Sequence, residues 1–187
     1  MLTVRRSRTI EASPEDLWAV LGDPHHLPRW WPRVSRVEAV EQNAFTEVLT
    51  GPSGKIVRAD FKLLEQVERQ RIVWSQQVEN TPFARVLRSA ETEITLAGDS
   101  EGDATRGLAV EGHAAGGLAG GHGEHPTVTE VTIELRQELQ GFSPRAGSGS
   151  WIGGLSRFGS PLVRRAARST IDEALDGLER IVGRAAA

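Results

Sequence analysis

The chain contains no cysteine and no tyrosine among its 187 residues. Without cysteine it can form no disulfide, thiolate zinc site or iron–sulfur cluster, and it has no thiol nucleophile. Without tyrosine it has no phenol group to serve as a general acid. It also lacks an apolar run of the roughly 18 residues that a transmembrane helix needs, and Met1–Ser13 contains arginines but no apolar segment typical of a secretory signal. These absences favour a cytoplasmic protein.

The charge of the chain is unevenly distributed. Its formal net charge is −3. Segments 1–36 and 142–187 are weakly basic, whereas segment 37–141 is acidic. Because a nucleic-acid groove needs a concentrated basic face, we expect no nucleic-acid partner.

The N-terminal residues predict a strand followed by two short helices. Leu2–Ile10 has partly alternating apolar residues, as in a strand. Ser13 is a suitable N-cap and a proline follows it, so a helix is predicted over Pro14–Leu21. A second helical piece is predicted over His25–Trp31.

The rest of the chain predicts an antiparallel sheet and one long helix. Strands are predicted over Val34–Glu41, Ala44–Thr50, Lys55–Gln66, Arg69–Val78, Val86–Leu96 and Val128–Leu139. Connections this short favour antiparallel pairing, because parallel strands need long crossovers. A glycine-rich segment at 98–126 is predicted to be a flexible insertion in a hairpin. An amphipathic helix is predicted from Ser160 to near the end of the chain.

The N-terminal sequence carries a resemblance to a known superfamily. It reads ASPEDLW at residues 12–18, DP at 23–24 and LPRWWP at 27–32. This run resembles the START-like superfamily, also called Bet v 1-like or SRPBCC, and within it the polyketide cyclase/dehydrase and lipid-transport branch. The segment Leu-Asp-Gly-Leu at 175–178 in the last predicted helix adds to the resemblance.

The resemblance implies an α+β helix-grip fold in a single domain over residues 1–187. In this fold a curved antiparallel sheet of about seven strands wraps around a long C-terminal helix. Two short helices follow the first strand. An elongated apolar cavity is implied between the sheet, the terminal helix and the two short helices, and apolar cavities are common ligand sites.

Candidate ligand contacts follow from this implied cavity and from the alternation of side chains along the strands. The predicted contacts are Trp30, Trp31, Phe61, Trp74, Arg88, Thr92, Ile94, Ile133, Phe158 and Leu162. Ordinary core packing is the alternative for the apolar members. An inward-facing Arg8 or Arg88 would anchor a carboxylate or phenolate ligand. The alternative is that both arginines lie in water near strand ends.

Motifs for cofactors and nucleophilic catalysis are absent from the sequence. No segment matches a phosphate-binding loop, a dinucleotide fingerprint or the nucleophile elbow of hydrolases. His113, His122 and His125 lie in the glycine-rich segment, but their spacing matches no known metal site. We therefore predict no metal, no cofactor and no catalytic residue.

These observations predict a protein that binds a small hydrophobic ligand, lipid-like or polyketide-like, in an internal apolar cavity without covalent chemistry. The first alternative is an enzyme of the polyketide aromatase/cyclase type, which would need a general acid or base beside the substrate carbonyl. The second alternative is a protein-interaction module of the co-chaperone kind. The expected partner is the small molecule, and homodimer formation stays open.

Overall fold

A single antiparallel sheet and a long helix dominate the structure. The computed structural model describes residues 1–51, 54–98, 128–140 and 159–185. The strands are β1 (Leu2–Ile10), β2 (Val34–Glu41), β3 (Ala44–Thr50), β4 (Ile56–Val67), β5 (Arg71–Gln76), β6 (Leu87–Gly98) and β7 (Thr129–Leu139). The α-helices are α1 (Pro14–Leu21), α2 (Leu27–Trp30) and α3 (Gly159–Ala185), and short 3-10 helices span Pro24–His26 and Pro82–Arg85.

The seven strands form one sheet in the order β1-β7-β6-β5-β4-β3-β2. All six pairings are antiparallel. The chain therefore runs as a meander from β2 to β7, and β1 closes the other edge by pairing with β7. This sheet and the long C-terminal helix form the predicted α+β helix-grip fold.

The inner face of the sheet packs against α3. The buried residues of the helix are Ala167, Ile171, Ala174, Leu175, Leu178 and Val182, in addition to Gly177. They recur every three or four residues and so form one stripe along the helix. The same core contains Val131, Ile133 and Leu135 of β7. These three residues alternate along the strand and so lie on the face of the sheet that packs against α3.

Ion pairs join the edge strand β1 to the rim of α3. Arg6 Nε lies 3.4 Å from Asp172 Oδ1. Arg8 pairs with Asp176, and its Nη1 also donates to Glu179 Oε2 at 3.0 Å. Arg8 thus has carboxylate partners within the chain itself.

The first helix begins as its cap predicts. The backbone N–H of Asp16 donates to Ser13 Oγ at 3.1 Å, which satisfies one of the free amide groups of the first turn. The predicted second helical piece is divided into the 3-10 turn Pro24–His26 and α2. Asp23 caps the turn, since its Oδ1 accepts a hydrogen bond from the His25 amide at 2.9 Å.

Some predicted features lie outside the described residues. These are Phe158 and the glycine-rich segment after Gly98. Gly98 itself ends β6 and pairs with Thr129 at the start of β7. None of the helices that the structure describes is long and apolar enough to cross a bilayer.

Candidate functional site

A chain of aromatic rings lies between the short helices and the inner face of the sheet. Phe45 stacks on Phe61, with ring centroids 5.2 Å apart and planes 10° apart. Phe45 meets Trp74 edge-on at 6.1 Å, and Trp74 meets Trp31 at 6.2 Å. Trp31 in turn contacts Trp30 at 5.3 Å in a T-shaped arrangement. These geometries are favourable for aromatic pairs and fix the rings relative to one another.

A pocket opens beside these rings, between the end of α1 and the β2–β3 hairpin. Its volume is about 190 Å³. The lining residues are Leu21, Gly22, Pro24, Leu27, Val40, Glu41, Gln42, Ala44, Phe45, Leu63, Gln66, Ile72 and Trp74. Most of this wall is apolar, and its polar members lie on the hairpin and on β4. We call this space the hairpin pocket.

The predicted inner-face positions on the central strands occupy one layer. Phe61 of β4 is half-buried, and Trp74 of β5 is buried. Thr92 and Ile94 of β6 are buried, and so is Ile133 of β7. Of these five residues only Trp74 lines the hairpin pocket. Ligand contact at the other four stays a prediction.

The remaining predicted contacts lie elsewhere on the molecule. Trp30 is buried and Trp31 is half-buried, and both line a polar groove of about 380 Å³ between α2 and α3. Arg88 is 62% exposed, and its Nη1 lies 3.5 Å from Glu138 Oε1. Leu162 is 41% exposed. The structure therefore does not bring Arg88 and Leu162 to the hairpin pocket.

The groove between α2 and α3 is charged. Arg29 and Arg33 line one side of it, and Glu173, Asp176 and Arg180 line the helix side. Its mixed charges and its open shape contrast with the apolar hairpin pocket. An apolar molecule would gain less there than in the hairpin pocket, since binding would bury charged groups.

Glu47 is a buried acidic residue on the inner face of β3. It is 2% exposed, and in the sheet it lies opposite Ala59 of β4 and Val37 of β2. Its Oε1 has no hydrogen-bond partner within the part of the chain that the structure describes. Burial alone raises the pKa of Glu47 to about 8, because a carboxylate away from water is strongly disfavoured.

Sequence reasoning missed Glu47 and Phe45, although a signal for both was present. Phe45, Glu47 and Leu49 alternate along β3, and Phe45 and Leu49 belong to or pack against the core. Residues two apart on a strand share a face. The alternation therefore placed Glu47 inside, against the usual tendency of glutamate to lie in water.

The described residues contain no cluster of three or more histidine, aspartate or glutamate side chains that could hold a metal ion. His113, His122 and His125 lie outside those residues. The absence of a metal therefore stays a prediction.

Comparison with known protein families identifies the family of this chain. Residues 1–147 match the family described as "Polyketide cyclase / dehydrase and lipid transport". The chain belongs to this family. A search of curated proteins found no match.

Solved structures related to this polyketide cyclase/dehydrase family member share its fold. The Zhui aromatase/cyclase from Streptomyces sp. R1128 has a TM-score of 0.68 at 12% identity, covering 100% of this chain and 96% of that one. A conserved protein from Geobacillus kaustophilus has a TM-score of 0.65 at 13% identity, covering 98% and 96%. A START superfamily protein from Mycobacterium smegmatis has a TM-score of 0.60 at 14% identity, covering 97% of both chains. At these identities the likeness shows the fold, and the site has to be argued from this chain's own residues.

Proposed function

We propose that this protein binds a small, mainly apolar molecule at the inner face of the sheet, without covalent chemistry. The observation that carries this proposal is the hairpin pocket, whose walls are formed by Phe45, Ile72 and Trp74 together with aliphatic side chains. Concave apolar pockets with a few polar groups are the usual sites for small ligands. The burial of apolar ligand surface against these rings would supply most of the binding energy.

The size of the hairpin pocket favours a compact ligand. At about 190 Å³ it is below the roughly 300–1,000 Å³ typical of sites for drug-sized molecules. It is closer to an engineered cavity of about 150 Å³ that binds benzene. We therefore propose a ligand with one or two rings in preference to a long lipid chain.

One observation favours a second candidate function, an enzyme of the aromatase/cyclase type. Glu47 lies on the inner face and its pKa is raised to about 8, within the range useful to a general acid or base near neutral pH. Glu47 is the only buried ionisable residue found in the described part of the chain, so it has no buried ionisable partner there. This arrangement supports binding better than proton shuttling between two groups.

The outer face of the sheet gives no support to the interaction-module alternative. Arg136 donates to Glu91 at 2.6 Å, to Glu134 at 2.7 Å and to Glu93 at 2.5 Å. Arg71 Nε lies 2.9 Å from Glu93 Oε1. The part of this face around Arg136 is therefore charged, unlike the contiguous apolar patches that mark many protein-binding surfaces.

The proposal can be tested with the neutral two-ring fluorophore 1-aminonaphthalene. We expect saturable binding with one site per chain, with quenching of tryptophan emission because Trp74 lines the pocket. The substitution Val40→Phe, at a residue that lines the pocket and packs against the core, should fill part of the pocket and weaken binding by about tenfold or more, the equivalent of roughly 1.4 kcal/mol.

A matched substitution controls for general effects on the strand. Val67→Phe makes the same replacement at an exposed position of β4 that does not line the pocket, and it should leave probe affinity unchanged. Equal probe affinity in wild type, Val40→Phe and Val67→Phe would contradict a ligand site in the hairpin pocket.

A further inference from the structure

The inner layer contains a carboxyl group that the apolar pocket does not explain. Glu47 is buried at 2% exposure, and its Oε1 has no partner among the described residues. A buried polar atom without a hydrogen bond costs stability, so such an atom in a binding layer marks a position where a ligand group can restore the bond. Core packing therefore does not account for the buried carboxyl group of Glu47.

Glu47 lies next to the hairpin pocket along β3. Phe45 lines the pocket, and Glu47 is the following residue on the same face of the strand. Alternate residues on a strand are roughly 7 Å apart. Glu47 itself is not among the residues that line the pocket, so a ligand in the pocket has to displace intervening side chains to reach its carboxyl group.

The charged groups around Glu47 have other partners or face away. On the flanking strands, Glu38 of β2 pairs with Arg36 and with Arg58 of β4. Asp60 of β4 accepts a hydrogen bond from Thr46 at 2.7 Å, on the opposite face from Glu47.

Charged side chains of α2 and α3 also lie in the polar groove or pair with residues other than Glu47. On α2, Arg29 lines the polar groove, where Glu173, Asp176 and Arg180 of α3 lie opposite it. The other acidic residues on this side of α3, Asp172 and Glu179, pair with the arginines of β1. The described residues thus offer Glu47 no cation, in agreement with burial as the sole cause of its raised pKa.

We propose that Glu47 is the polar anchor of the ligand site and that its carboxyl group hydrogen-bonds to a neutral oxygen of the ligand, such as a ketone. This inference rests on the proposed binding function. Near neutral pH the carboxyl group is protonated, so it donates an O–H and needs an acceptor. A ligand carboxylate would bring a second acid into an apolar layer, and a ligand ammonium would create a buried ion pair whose desolvation offsets its attraction.

The test uses two probes of nearly equal shape, 2-acetylnaphthalene and 2-ethylnaphthalene, which differ by one carbonyl oxygen. Affinities are measured by isothermal titration calorimetry at pH 6. The ratio of the affinity for the ketone to the affinity for the hydrocarbon is measured for the wild type and for each variant, and these ratios are compared. The variant Glu47→Leu should reduce the relative affinity for the ketone by about tenfold, the effect of one hydrogen bond, and should still bind the hydrocarbon. Glu47→Gln retains an N–H donor and should keep part of the preference.

Two further comparisons separate the anchor from general effects. Glu130→Gln, at an exposed position on β7, should leave the affinity ratio unchanged. In wild type the preference for the ketone should fall as the pH is raised from 6 to 9.5, since the deprotonated carboxylate can no longer donate. This measurement on the unaltered chain decides the question even if a variant fails to fold.

The possible results distinguish the two proposals. If wild type binds both probes but its affinity ratio changes neither with pH nor in Glu47→Leu, the anchor is refuted and the binding function stands. If neither probe binds to wild type, the binding function fails and the anchor fails with it. A ratio that changes in Glu47→Leu and with pH, but not in Glu130→Gln, supports the anchor.

Discussion

At the scale of the residue, two glutamates on neighbouring strands show how surroundings decide charge. Glu38 accepts hydrogen bonds from Arg36 and Arg58, which lower its pKa. Glu47 lies on the inner face, where burial raises its pKa to about 8. The difference arises from which face of the sheet each side chain occupies, since the chemical group is the same.

Glu47 should make the stability of the protein depend on pH. Between about pH 4.5 and 8 the folded protein holds a proton on Glu47 that the unfolded chain has lost, so the free energy of unfolding falls as the pH rises. By pH 7 the loss should be roughly 3 kcal/mol. Glu47→Gln should therefore become more stable relative to wild type from pH 5 to pH 8, as measured by urea unfolding.

The exposed glutamate on β7 again provides the control for this prediction. Glu130→Gln should follow the pH dependence of wild type throughout this range. If Glu47→Gln also follows it, the carboxyl group of Glu47 is ionised in the folded protein and its pKa is not raised.

At the scale of the element, the contact between α2 and α3 depends on a single glycine. A Cβ atom added at Gly177 would lie 2.5 Å from the carbonyl oxygen of Trp30 and 2.8 Å from its Cα. The two backbones can approach this closely only because residue 177 has no side chain. Since Trp30 continues the row of aromatic rings beside the hairpin pocket, this contact positions one end of that row.

The close contact predicts opposite effects for the same substitution at two sites of α3. Gly177→Ala should destabilise the protein, because the steric clash outweighs the roughly 1 kcal/mol that alanine gains over glycine within a helix. Gly183→Ala has no heavy atom within 4 Å of the added Cβ and should be neutral or stabilising by up to about 1 kcal/mol. Chemical unfolding of both variants measures this difference. Equal stability of Gly177→Ala and wild type would show that the helices can separate at no cost.

Sequence patterns were sufficient to predict most of the helices and strands, because these patterns depend on residues that are close together in the chain. The N-cap Ser13 and the following proline gave α1 its correct bounds, and periodicity two gave each strand to within a few residues. The 3-10 helix Pro82–Arg85 was missed, because Asn80, Thr81 and Pro82 are residue types that are typical of turns. In the structure the Thr81 hydroxyl caps this helix by accepting from the Phe83 amide.

The candidate site was less predictable because it depends on contacts between distant elements. Strand alternation correctly placed Phe61 and Trp74 on the inner layer. It could not show that only Trp74 of this pair would line the hairpin pocket, because the pocket wall also depends on how α1 and the β2–β3 hairpin approach each other. Glu47 was missed for a different reason, since residue type outweighed the alternation along its strand.

At the scale of the whole molecule, the helix-grip fold has an apolar interior between two charged surfaces. The outer face of the sheet carries the Arg136 ion pairs, and the rim of α3 carries those with β1. Both sets are partly in water and contribute little each. Stability must therefore come mainly from the burial of apolar surface between the sheet and α3.

The contrast between the apolar interior and the charged surfaces predicts that two leucines on α3 differ sharply in their contribution to the free energy of unfolding. Leu178 is 0% exposed, whereas Leu162 is 41% exposed on the same helix. Leu178→Ala should lower the free energy of unfolding by about 2–5 kcal/mol, because it leaves a cavity between helix and sheet. Leu162→Ala should change it by no more than about 0.5 kcal/mol.

Removal of the helix extends the same argument to the complete fold. A chain ending at residue 158 loses Ile171, Leu175, Leu178 and Val182, all at most 4% exposed. At about 1.5–3 kcal/mol for each buried aliphatic side chain, this loss is comparable with the roughly 5–15 kcal/mol that stabilises a typical domain. We expect the shortened chain to show no cooperative thermal transition by circular dichroism and no binding of 1-aminonaphthalene at a single site. A cooperative transition in this chain would mean that the sheet is stable alone, and the apolar layer that forms the proposed site would then not depend on the helix.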